Sequence, residues 1–173
     1  MWTLAVSGLR FGEALALRWG DLFKHGWSKR EVNVCQDFVR GQVGAVKTKK
    51  SERTVPITER LRDALQTEYH QRQYAGPVSK DDYVFTNGAG KPLCGDDWRK
   101  RVFMPASKKA CTHFRIKDLR DFAITRWVES GDMNLLEVQE IAGHTQAQTT
   151  MGYFRRSGMS IGKARNATES LGF

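Results

Sequence analysis

The chain has 173 residues, enough for one domain of ordinary size, which buries roughly 70% of its unfolded surface and needs no staples. Its 28 lysines and arginines against 19 acidic residues leave a net charge of +9, which favours a polyanionic partner, nucleic acid being the commonest. No apolar run approaches the ~20 residues of a membrane span and no signal peptide is visible, while Cys35, Cys94 and Cys111 share no metal-ligand spacing and point to a reducing, intracellular setting.

The first residues, MWTLAVSGLR, read as the middle of a helix, so the chain is expected to be a piece of a longer protein. Trp2, Leu4, Ala5 and Leu9 suit a buried helix broken at Ser7-Gly8. A second helix is expected from about Arg10 to Trp19, closed by Gly20-Asp21, and a turn over Lys24 to Ser28. Three short strands follow, Glu31 to Phe38, Gln42 to Thr48 and Arg53 to Ile57, joined in sequence as a meander through Arg40-Gly41 and a basic tip at Lys49 to Glu52. A sheet of this size needs a helical layer over one face.

From Thr58 the pattern turns helical, with Leu61, Ala64, Leu65 and Tyr69 on one face and Gly76-Pro77 as the stop. Asp82 to Thr86 is a short extended piece and Asn87 to Gly90 a turn. Gly95 to Lys109 reads as a helix with Trp98, Val102 and Phe103 inward. In the next helix, Lys117 to Ser130, a step of ~100° per residue clusters Leu119, Phe122, Ala123 and Trp127. Arg120 falls on the rim of that face, while Asp118, Asp121, Thr125 and Glu129 point away. A half-desolvated arginine wants an anion, either a carboxylate such as Glu13 or a bound phosphate. Leu135, Leu136, Val138 and Ile141 form a further helix stopped by Gly143, and Thr145 can cap a short one carrying Tyr153. The tail is polar, with a helix possible from Ile161 to Leu171.

Several cations fall at expected turns and helix starts, where chemistry-bearing groups tend to sit. They are Arg10, with Glu13 three residues on, Lys47 at a strand end, Lys117 and Arg120 in one first turn, and His144 at a turn ahead of Tyr153. Phosphoryl transfer needs such parts: donors to the non-bridging oxygens, an acid for the leaving oxygen and an oriented nucleophile. A tyrosine oxygen can be that nucleophile, and arginine's planar fork suits the donor task. Taken alone, His144 and Tyr153 read equally well as a helix-terminal histidine and a buried, satisfied tyrosine. His25, His70 and His113 read as surface residues, Trp19 and Trp127 as core, and the cysteines as small buried or half-buried thiols.

Four segments together resemble the catalytic domain of the tyrosine recombinases, the phage-integrase family. They are SGLRFGEALALRWGDL (7–22), KTKKSERTVPI (47–57), KDLRDFAITRWVESG (117–131) and IAGHTQAQTTMGYFRR (141–156). Each motif is weak singly, but the ordered set spans nearly the whole chain. The resemblance implies a mainly α domain with a small antiparallel β-sheet, residues 1–173 forming a single catalytic domain without the family's N-terminal core-binding domain. It implies that Arg10 and Arg120 clamp a scissile phosphate, that Lys47 protonates the leaving 5′ oxygen, and that His144 donates a further hydrogen bond. Tyr153 would attack to give a 3′-phosphotyrosyl link, and Glu13 would brace Arg10 or its helix. The bond energy stays in that link, so no cofactor, ATP or metal is implied. The implied partners are double-stranded DNA, bound mainly through phosphates with strong salt dependence, and further protomers, a tetramer at synapsis. The implied setting is the cytoplasm of a prokaryote, with the gene there or on a phage. The chain departs from the family pattern at Lys117, where histidine is usual, at Asp121, where histidine or arginine is common, and at Ala142, where leucine is usual. A lysine at 117 can still donate to the phosphate, and takes the tyrosine proton as base only if its pKa is lowered. A type IB topoisomerase and a non-catalytic DNA-binding module of the same fold are the rival readings.

Overall fold

The first helix, α1 (Trp2–Ser7), ends where Gly8 turns left-handed at φ 62° and its N–H reaches the Leu4 carbonyl. The structure, a computed structural model, describes residues 1–24, 26–39, 42–45 and 52–157. Lys47, Lys49, Lys50, His25 and the tail helix expected at 161–171 lie outside the described residues.

The single helix expected from Arg10 to Trp19 is two helices, α2 (Phe11–Ala16) and α3 (Trp19–Phe23). Leu17 and Arg18 between them are extended, and the backbone they free pairs with a distant segment. Val84 N–H donates to Leu17 O, Trp19 N–H to Asp82 O and Gly20 N–H to Lys80 O. Gly20-Asp21 therefore lies inside α3, and the Asp21 carboxylate accepts the Arg18 N–H at the helix start. Long-range pairing overrides local propensity here.

The strands also pair differently from a meander. The expected first strand breaks at Cys35 into β1 (Glu31–Val34) and β2 (Gln36–Val39). β1 pairs antiparallel with β4 (Arg53–Pro56), placing Val32 opposite Val55 and Val34 opposite Arg53. β2 pairs with β3 (Gln42–Ala45), Phe38 opposite Val43. Inward residues alternate along β1 and β4, so Val32, Val34, Arg53 and Val55 are all buried.

Thr58 caps α4 (Glu59–Ala75) by accepting the Leu61 N–H, and Gly76 ends it. Leu61 and Leu65 are buried, whereas Ala64, expected on that face, is exposed. α4, α3 and the β1–β4 pair enclose one core built on Leu17, Trp19, Leu22, Val32 and Val84. The turn at Asn87 to Gly90 leads to a helical run: α5 (Gly95–Trp98), a π-helical stretch (Arg99–Phe103) and α6 (Met104–Lys109). The wider π turn changes the facing, so Phe103 is buried but Val102 is exposed.

α7 (Ile116–Ser130) lies between α1 on one side and α8 (Leu135–Ala142) with α9 (Ala147–Ser157) on the other. Burial from two sides shifts its inward face, so that Arg120, Ala123, Ile124 and Val128 are buried while Phe122 is exposed. Asn134 caps α8 and Gly143 ends it, while α9 begins at Ala147, two residues beyond Thr145. A second core (Leu4, Leu9, Val34, Val55) joins α1 to the sheet, and a third (Ile124, Val128, Val138, Tyr153) joins α7, α8 and α9. Cys35 is half-buried, but Cys94 and Cys111 are exposed rather than covered. Among the described residues no helix is long and apolar enough to cross a membrane. The result is a mainly helical domain with small antiparallel sheets, as the sequence implies.

Candidate active site

Arg10 sits just before α2 in an extended conformation, its own N–H held by Glu13 Oε2 at 2.7 Å. That reciprocal contact fixes the arginine at a helix start. Its side chain donates from Nη1 to Glu13 Oε1 at 2.7 Å and from Nη2 to the Gly143 carbonyl at 2.5 Å, and remains 40% exposed.

Glu13 is buried and is also gripped from the sheet. Arg53, inward on β4, donates Nη1 to Oε1 at 2.9 Å and Nη2 to Oε2 at 2.8 Å, a bidentate pair, and its Nε donates to the Ile141 carbonyl at 2.8 Å. Burial alone would raise the Glu13 carboxyl. The Arg53 hydrogen bonds and charge, aided by Arg10, overcome this and hold it at about 2. Arg53 lies directly beneath Gly143, where an added Cβ would fall 2.9 Å from its guanidinium carbon, and Gly143 itself is left-handed at φ 67°. The turn carrying His144 therefore needs glycine for two reasons: its backbone angle and the arginine below it.

Arg120, one turn into α7, is buried, and its Nη1 and Nη2 donate to the Gly8 and Ala142 carbonyls at 2.5 and 2.6 Å. Its partners are thus the C-terminal ends of two helices rather than a carboxylate. Burial, then the charges of Arg10 and Arg53, lowers it to about 10, so it stays charged at neutral pH. His144 N–H donates to the Gln139 carbonyl, the Gln139 side-chain Nε2 donates to the His144 carbonyl, and the imidazole Nδ1 lies 2.9 Å from the hydroxyl of buried Thr150. Burial and the charges of Arg120, Arg10 and Arg53 push the imidazole down to about 4, which makes it neutral at physiological pH.

Tyr153 on α9 stacks against His144, ring centroids 6.1 Å apart and planes 11° from parallel. Its hydroxyl donates to Asp121 Oδ1 at 2.5 Å. Burial, then the Asp121 hydrogen bond and charge, raises the phenol to about 12.

Arg10, Arg120, His144 and the exposed Lys117 line one open groove of about 1390 Å³, walled by Phe11, Phe103, Phe114 and Ile116. Tyr153 does not itself line this groove; its ring stacks on His144, which does, and its hydroxyl is turned to Asp121. Four of the expected site residues thus meet in one place, with Glu13 directly beneath them. Guanidiniums from α2, β4 and α7, offset by the single Glu13 carboxylate in the ion pairs, leave an excess of positive charge suited to an oxyanion. Among the described residues no group of three or more His, Cys, Asp or Glu side chains could hold a metal ion.

Two site residues escape the sequence reading. Arg53 reads there only as the start of a strand, yet it shares the face of Val55 and Ile57. A charge at that alternation demands a buried partner, and this signal was available. Asp121 reads as pointing to solvent because nothing in α7 alone reveals that α9 covers that side.

Residues 1–158 match the family model for the phage integrase family. Tyrosine recombinase XerC of Corynebacterium efficiens is 27% identical over 150 residues, covering 87% of this chain and 43% of that protein. The Tn1549 transposon integrase in complex with circular intermediate DNA superposes with a TM-score of 0.73 at 24% identity, over 97% of this chain and 57% of that one. XerA recombinase gives a TM-score of 0.68 at 23% identity, over 88% of this chain and 49% of that one. The chain therefore spans about half the length of these relatives.

Proposed function

The chain belongs to the phage integrase family, and on that premise we propose that it is the catalytic part of a site-specific DNA recombinase that cuts and rejoins strands through a 3′-phosphotyrosyl link. The observation that carries this is the convergence of Arg10, Lys117, Arg120 and His144 on one groove with Tyr153 stacked behind the imidazole.

In this mechanism the groove receives one backbone phosphate of the duplex. Arg120, its plane fixed by the Gly8 and Ala142 carbonyls, and Arg10, fixed by Glu13 and the Gly143 carbonyl, present their remaining N–H groups to the non-bridging oxygens. Neutral His144 adds a donor without adding charge, and Lys117 at the groove rim contributes a further one. The Tyr153 oxygen attacks phosphorus, and Lys47 protonates the departing 5′ oxygen. A 5′ hydroxyl, from the same or another strand, later attacks the phosphotyrosine and reverses the step. The number of phosphodiester-type bonds is conserved, so ATP hydrolysis has no part in it. The partners on this reading are double-stranded DNA and further protomers, four at synapsis, and the setting is the cytoplasm of a prokaryote.

The test uses a pool of nicked duplexes randomised around the nick, from which the short leaving strand diffuses away. The protein is expected to form a denaturant-resistant adduct that Tyr153→Phe abolishes while retaining DNA binding. Binding without any adduct would make the chain a non-catalytic module of the fold. Relaxation of supercoiled plasmid without exchange between duplexes would assign it topoisomerase activity instead.

A further inference from the structure

Asp121 follows Arg120 directly on α7, and one residue is ~100° of helix rotation. That turn carries it from the face bearing Arg120 to the side covered by α9, where Tyr153 lies. The phenol ring is only 7% exposed, with His144 stacked on it and the Arg156 guanidinium 4.8 Å from its centre. Its single proton points to the Asp121 carboxylate at 2.5 Å.

We propose that Asp121 is the proton acceptor for the Tyr153 nucleophile, a role that rests on the cleavage reading above. As the phenol oxygen bonds to phosphorus, its O–H bond breaks and the proton moves along the existing hydrogen bond to Oδ1. The bond from phosphorus to the 5′ oxygen breaks, and that oxygen takes its proton separately from Lys47. On rejoining, the 5′ hydroxyl bonds to phosphorus as its proton returns to Lys47, and the tyrosyl oxygen leaves phosphorus and recovers its proton from Asp121. Both steps balance without a further reactant.

A general base must lie within hydrogen-bond reach of the proton it takes, and the described contact meets that condition before DNA arrives. Aspartate does the same work when it accepts a substrate hydroxyl proton in protein kinases. A phenol pushed up to about 12 by its burial and by this carboxylate enters the reaction protonated, so its proton needs a destination. His144 is poorly placed to supply one. It meets the phenol ring face to face, and its Nδ1 is engaged by Thr150.

The experiment compares the wild-type chain with Asp121→Asn on the same nicked duplex pool, measuring adduct formation at single turnover and binding by fluorescence anisotropy. The nearly isosteric Asp121→Asn is expected to slow adduct formation roughly a hundredfold with binding unchanged, and Asp121→Glu to restore part of the rate. Duplexes with a bridging 5′ sulfur separate base from acid, because a thiolate leaves without protonation. They are expected to relieve Lys47→Ala and to leave the Asp121→Asn defect in place. Adduct formation by Asp121→Asn at the wild-type rate or faster would overturn the proposal while sparing the cleavage reading. A faster rate would make the carboxylate a restraint on the tyrosine. Relief of Asp121→Asn by the sulfur substrate would also overturn it. A wild-type chain that forms no adduct would overturn both readings together.

Discussion

Replacing Arg120 with alanine is expected to lower strand cleavage at least about a thousandfold, since removing one donor to a developing oxyanion typically costs roughly a hundred- to a thousandfold and a guanidinium supplies more than one. The guanidinium is buried, and the carbonyls of Gly8 and Ala142 take one N–H from each end of its fork. Those contacts fix the plane in which the remaining donors meet a phosphate. Arg120→Lys is expected to fail nearly as badly. A single ammonium keeps the charge but cannot reach two carbonyls and an oxyanion with one geometry. Binding of the nicked duplex is expected to weaken far less than cleavage, because most of the affinity comes from phosphates elsewhere along the backbone. Single-turnover adduct rates and anisotropy on the same samples measure the two effects. An Arg120→Ala protein that cleaves within tenfold of wild type would remove this residue from the phosphate clamp.

Replacing Glu13 with alanine is expected to give the largest loss of stability. Its carboxylate is the shared partner of Arg10 and of Arg53, whose side chain is only 4% exposed. Truncating one member of such a pair strands the other charge in the interior, a cost of about 3–5 kcal/mol. For a domain of this size that corresponds to a fall of roughly 10 °C or more in melting temperature. The same carboxyl sets an acid limit. It sits at about 2 in the folded chain against an ordinary 4.5, so the unfolded chain takes up the proton first as pH falls. Its contribution, about 3 kcal/mol at 1.36 kcal/mol per unit, is complete above pH ~4.5 and is lost as pH falls from there to about 2. Melting curves across that window are expected to show the slope in wild type and a shallower one in Glu13→Ala. Equal slopes would show that the ion pair does not couple to folding.

Much of this architecture is legible in the residues, because several elements are set by local chemistry. Gly8 and Gly143 end helices through left-handed backbone, Thr58 caps α4, and Asn87 to Gly90 makes the turn expected of it. The resemblance of the ordered motifs to the phage integrase family implies a common site for Arg10, Arg120, His144 and Tyr153, and the fold brings the first three to one groove. Val102 faces outward through the local π turn, but the larger failures share a cause, which is that each depends on a distant partner. The break at Leu17-Arg18 follows from pairing with residues 80–84, and the β1–β4 pairing follows from packing over α3 and α4. Arg53 hides as a strand residue until Glu13 and the Ile141 carbonyl lie against it. Asp121 hides on a face that is polar within α7 and becomes a contact only once α9 docks. Periodicity along one helix reports its own two faces, not the element that covers the second.

The most direct test of a phosphate held by Arg10, Arg120 and His144 beside a tyrosine nucleophile is to map the residue that carries DNA. After reaction with the nicked duplex pool, nuclease and protease digestion followed by mass spectrometry is expected to find a nucleotide joined through its 3′ phosphate to the peptide containing Tyr153, with a 5′ hydroxyl on the released strand. A nucleotide on any other residue, or a released strand bearing a 5′ phosphate, would contradict it.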